Sequence, residues 1–127
     1  MSLFNGKKGL KHQFAEVLWN AASFIPANNL TNALLFMTMD GTKFKFFIDN
    51  LLNAEVAIYL EHAEAYKQED YTASPTSYRL LFTKVAGGQT LNYTVGESPQ
   101  IQFDPGTKVW IHHTSLPTSG KFKINAW

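Results

Sequence analysis

Residues 33–48 read ALLFMTMDGTKFKFFI. Two apolar runs, 33–39 and 42–48, flank Asp40-Gly41. An Asp-Gly pair between such runs is a strong short-range signal for a β-hairpin. In the second run Phe44, Phe46 and Ile48 alternate with Lys43, Lys45 and Phe47, so the first three are expected to face a core. The first run admits a second reading, because Leu30, Ala33, Leu34 and Met37 also share a helical spacing.

Downstream the period of two persists. Val56, Ile58 and Leu60 fall on one face of run 55–61, and Tyr78, Leu80 and Phe82 alternate through 78–85. Gly87-Gly88 turns the chain into 89–95, where Leu91, Tyr93 and Val95 align. A short run, 101–103, precedes Asp104-Pro105-Gly106, which is turn chemistry. Val109, Ile111 and His113 oppose Lys108, Trp110 and His112. Phe122, Ile124 and Ala126 end the pattern. Short strands separated by turn signals predict a mainly β protein: an antiparallel β-sandwich of jelly-roll or Ig-like kind with seven or eight strands, spanning residues 27–127.

Upstream the period changes. Leu10, Phe14, Val17, Leu18 and Ala21 recur at helical spacing within 8–24, and Pro26 supplies a stop, so residues 1–26 are expected to be an amphipathic helical arm. Lys7, Lys8 and Lys11 crowd the N-terminal end of that helix, where the macrodipole favours acids. They are either a solvated face or the contacts of a docking arm. In the second reading Phe14, Leu18 and Trp19 anchor the arm on a partner.

Composition narrows the function. The chain has 127 residues, 45% of them hydrophobic and 17% charged, with a net charge of +1 and no cysteine. A near-neutral chain has no global field to attract nucleic acid or an acidic membrane. Without cysteine, disulfides and thiolate metal sites are excluded. No apolar run is long enough to cross a bilayer. The basic N-terminus followed by apolar residues imitates a signal peptide, but Glu16, Trp19 and Asn20 interrupt the apolar stretch, so it reads as part of the folded protein.

Candidate chemistry is sparse. His112 and His113 are neighbours on a strand and point to opposite faces, so they do not chelate one metal together. Glu61, His62 and Glu64 form a His–carboxylate group without zinc spacing and read as a solvated strand end. Gly87-Gly88 lacks the lysine and helix of a phosphate cradle, and no Gly-x-Ser-x-Gly elbow occurs. The expectation is a protein without enzymatic activity, cofactor or metal. Trp110, Tyr93, Tyr59 and Phe47 are candidates for an aromatic platform for sugar or single-stranded nucleic acid. Strand lysines at 43, 45, 108, 121 and 123 serve more simply as guards against edge aggregation. The long polar connection 62–77, HAEAYKQEDYTASPTS, is the feature best suited to contact something else. Tyr66 and Tyr71 within it, together with Trp110, are the candidate ligand or partner contacts.

The hairpin TMDGTKFKFFIDN, then NAEVAIYLEH, then QTLNYTVGESPQIQFDPGTKVWIHHT and the terminal SGKFKINAW resemble small β-sandwich structural proteins of tailed-bacteriophage particles. Those are decoration, collar, tail or baseplate components. The resemblance spans residues 42–60 and 79–127 and carries no active-site motif. It implies a virion structural protein, made in the host cytoplasm and incorporated into the particle. Its partners would be other virion proteins and further copies of itself, without membrane or specific nucleic-acid binding. A carbohydrate-binding β-sandwich module is the alternative.

Overall fold

In a computed structural model, residues 12–18, 29–94 and 103–127 are described. Among them are eight strands: β1 (Gln13–Leu18), β2 (Leu34–Thr38), β3 (Lys45–Asn50), β4 (Val56–Glu61), β5 (Leu80–Val85), β6 (Thr90–Thr94), β7 (Lys108–His113) and β8 (Lys121–Ala126). They form two four-stranded antiparallel sheets, ordered β1-β8-β3-β6 and β2-β7-β4-β5. Each strand pairs with the one equally far from the other end of the series: β1 with β8, β2 with β7, β3 with β6, and β4 with β5. The described strands therefore nest as one long antiparallel hairpin, in which successive strands alternate between the two sheets until the β4–β5 bend.

The sheets share a core. Alternate residues of β3 and β8 (Phe46, Ile48, Phe122, Ile124) meet alternate residues of β4 and β7 (Val56, Ile58, Val109, Ile111), all of them buried. An aromatic cluster ties the layers together. Phe46 stacks on Phe103 at 4.3 Å and meets Phe82 edge-on at 5.9 Å, and Tyr93 meets both Phe82 and Phe103 edge-on. Asn50, fully buried at the end of β3, donates to the carbonyls of Ala54 and Val85 and accepts from the Leu52 amide. All these bonds satisfy a buried amide that would otherwise be costly.

Three expectations need correction. The Asp40-Gly41 turn does not close a hairpin, because β2 pairs with β7 in one sheet and β3 with β6 and β8 in the other. The turn carries the chain between layers, and turn chemistry alone does not distinguish the two uses. Gly87-Gly88 does the same between β5 and β6. There a Cβ on Gly87 would lie 2.8 Å from the backbone of Leu52 and Ala54, so only glycine lets these segments approach.

The second correction is the phase of run 42–48. Phe46 and Ile48 are buried as expected, whereas Phe44 is 45% exposed and Lys43 is buried. The amides of Phe44 and Lys45 both donate to the Trp127 carbonyl, so two residues oppose one. That is a β-bulge, and it shifts the alternation by one residue. The buried Lys43 ammonium pairs with Asp40 at 2.6 Å. A similar irregularity between Ile58 and Tyr59 on the β4–β5 ladder accompanies the exposure of Leu80 and the burial of Phe82.

The third correction is the N-terminal helix. Gln13–Leu18 is a strand paired along its length with β8. Ala15 and Val17 turn toward the core, while Phe14, Glu16 and Leu18 face outward. A spacing of four, as from Phe14 to Leu18, puts residues on one face in a helix and equally in a strand, so it could not decide between them. The unpaired edge of β8 supplied what the local pattern lacked. The remainder of the expected helix, 8–11 and 19–24, lies outside the described residues, as do Val95 and the 101–102 part of the short run 101–103. The first run is settled as strand β2, preceded by a short 3-10 turn at Leu30–Asn32.

Candidate functional site

The connection from β4 to β5 is the longest between consecutive described strands, and it is folded rather than loose. It contains 3-10 turns at Ala65–Lys67 and Pro75–Tyr78. The residue that organises it is Glu61, at the end of β4. Expected at a solvated strand end, Glu61 is instead 1% exposed. Its carboxylate accepts from the Tyr71 hydroxyl and from the Trp110 indole Nε1, each at 3.1 Å. Arg79 Nε and Lys108 Nζ stand 3.7 and 3.6 Å away. The Arg79 guanidinium lies 3.6 Å above the Trp110 ring, and its Nη1 donates to the Leu30 carbonyl. One carboxylate thus joins β4, β7, the connection and Arg79, the residue that precedes β5. Burial, then the bond to Glu61, pushes the Tyr71 phenol above its ordinary pKa.

The outer part of the connection is organised by Asp70, which accepts from the Tyr78 hydroxyl and raises its pKa. The Tyr71 and Tyr78 rings lie 5.8 Å apart. Between this connection and β5 is a pocket of about 350 Å³, lined by His62, Glu64, Ala65, Gln68, Ser77, Tyr78 and Leu80. His62 Nδ1 accepts from the Glu64 amide at 3.1 Å, which in the neutral ring places the proton on Nε2. The Glu64 carboxylate meets Lys67 at 3.1 Å.

Beside this site, the outer face of the β2-β7-β4-β5 sheet carries an apolar row. Register sets Leu35 opposite Trp110, Trp110 opposite Tyr59, and Tyr59 opposite Leu81. His112 stacks on Tyr59 at 5.4 Å. Leu35, Leu80 and Leu81 are exposed. The outer face of the other sheet carries ion pairs, Lys121 near Glu16 and Lys123 near Asp49.

The expected contact residues separate into groups. Tyr66 is exposed, 5.9 Å from the Lys67 ammonium. Tyr71 and Trp110 both donate to the Glu61 carboxylate. Phe14 and Leu18 are exposed on the outer face of β1. Lys7, Lys8, Lys11 and Trp19 lie outside the described residues. The four-membered aromatic platform does not form, because Tyr93 is in the core and Phe47 lies on the opposite sheet from Tyr59 and Trp110. Arg79 was missed by sequence reasoning. Its signal was available: it is the only arginine in the chain and follows a long polar connection. A fork of donors of this kind suits a buried carboxylate better than lysine.

His112 and His113 point to opposite faces as expected. His113 faces inward and is buried, and burial lowers its pKa, with His112 adding to the shift and the Ser115 backbone opposing it. Its folded pKa therefore lies below the unfolded value near 6.5. Below that value the unfolded chain binds more protons, so stability present at neutral pH is lost as pH falls toward the folded pKa. The slope attributable to this residue is at most about 1.4 kcal/mol per pH unit. Urea midpoints measured from pH 7.5 down to 5 should fall in the natural protein and fall less steeply in His113→Gln. Equal slopes would show that His113 does not carry the dependence.

The described residues contain no cluster of three or more His, Asp or Glu able to hold a metal, and no helix long and apolar enough to cross a membrane. The chain matches no family model, no curated protein and no solved structure.

Proposed function

We propose that this chain is a non-enzymatic structural protein of a virus particle, of the decoration or head–tail accessory kind, acting through protein–protein contacts. The observation that carries the reading is the pairing of β1 with β8, β2 with β7, β3 with β6 and β4 with β5 across two four-stranded sheets. That order is the one expected of a jelly roll, an architecture recurrent in viral capsid domains and in lectins. The resemblance of the strand sequences to tailed-bacteriophage components points the same way.

Two surfaces suit assembly. One is the outer face of β1, where Phe14 and Leu18 stand at the edge of a sheet. The other is the row of Leu35, Trp110, Tyr59 and Leu81. Exposed apolar side chains gathered on one face mark contact sites more often than scattered ones do. Native mass spectrometry and light scattering of the purified chain test the proposal. A closed symmetric oligomer is expected, dissociating when Phe14→Asp and Leu18→Asp are combined or when Leu81→Asp is introduced. A chain that stays monomeric at all accessible concentrations would overturn the reading.

A further inference from the structure

We propose that the pocket between the β4–β5 connection and β5 binds a neutral sugar residue. This goes beyond the assembly role and does not depend on it. At about 350 Å³ the pocket lies in the size range of small-ligand sites, near its lower end. Its lining combines apolar residues, Ala65 and Leu80, with polar groups of several kinds. His62 offers an Nε2–H donor once its Nδ1 is used by the Glu64 amide. Gln68 offers both a donor and an acceptor. The Ser77 hydroxyl spends its proton on the Ser74 carbonyl and keeps its acceptor sites. Donors and acceptors in one lining with apolar residues suit a pyranose, whose hydroxyls ring an apolar face.

Charge argues for a neutral ligand. The Glu64 carboxylate is already met by Lys67, and Asp70 already accepts from Tyr78. Glu64 is the one carboxylate among the lining residues, so with Lys67 beside it the lining presents no unpaired charge to an ionic ligand. The pocket is also built in advance. Glu61 holds Tyr71, Arg79 reaches Leu30, and Asp70 holds Tyr78, so the connection that forms one wall is pinned at both ends. A wall ordered beforehand removes part of the entropy cost of binding.

The test is titration of the isotope-labelled full chain with a panel of neutral hexoses and N-acetylhexosamines, followed by amide chemical shifts, with glucuronate as the charged comparator. Saturable shifts should centre on Ala65, Gln68, Ser77 and Leu80 at millimolar sugar. His62→Ala and Gln68→Ala replace exposed side chains, and each should raise the dissociation constant about tenfold, the effect of losing one ligand hydrogen bond. Absence of shifts across the panel would overturn the proposal, as would shifts centred elsewhere or unaffected by both substitutions. Tighter binding of glucuronate would overturn the assignment of a neutral ligand.

Discussion

Glu61→Ala is expected to cost about 3–5 kcal/mol of folding stability, the penalty for breaking a buried charge pair from one side. The carboxylate is buried and is approached by four donors from three parts of the chain. Its removal leaves the Arg79 guanidinium, whose side chain is only 9% exposed, without a counter-charge. It also leaves the Tyr71 hydroxyl and the Trp110 indole without their acceptor. The effect has a place as well as a size. Amide hydrogen exchange should accelerate across 62–79 more than in β3 or β8, because the core strands do not rest on this cluster. Urea denaturation gives the magnitude, and a double-mutant cycle with Arg79→Ala isolates the coupling. A loss under about 1 kcal/mol, within the ordinary range for surface changes and their neighbours, would show that Glu61 does not organise the connection.

Phe46→Ala is expected to cost a similar amount, about 3–5 kcal/mol, for a different reason. Phe46 is fully buried, stacks on Phe103 and meets Phe82 from the facing sheet. Truncation opens a void between the two layers that neither sheet can close, since each is held by its own ladder. Here the expected signature is global. Exchange should accelerate through both sheets together, and the denaturation midpoint should fall without a change in slope. The contrast with Phe44→Ala is informative, because Phe44 is nearly half exposed and its loss should be small.

The two residues differ in how visible they were. Phe46 stood in an alternating run, and alternation is a physical consequence of the pleat, so its burial followed from sequence. So did the inward faces of β4, β7 and β8, and the divergence of His112 from His113. Glu61 occupied an outward position on its strand, where a carboxylate is ordinarily solvated. Only the return of the connection over that face, with Arg79 and Tyr71, buries it. The pocket beside it was legible only as a long polar stretch, because its lining converges from residues of the connection and the first residue of β5.

The sequence by itself determined the β character of the chain and the core sides of most strands, because these rest on nearest-neighbour geometry and the burial of apolar side chains. It also identified 62–77 as the stretch set apart from the strands. Tertiary structure decided which strands pair, since Asp40-Gly41 and Gly87-Gly88 are chemically suited to turns but do not specify whether the next strand joins the same sheet. It decided the bulge that buries Lys43 in place of Phe44, because that shift arises from two amides sharing the carbonyl of Trp127 at the far end of the chain. It decided that Gln13–Leu18 is a strand, because spacing by four fits both periods and the open edge of β8 supplies the hydrogen bonds that choose between them.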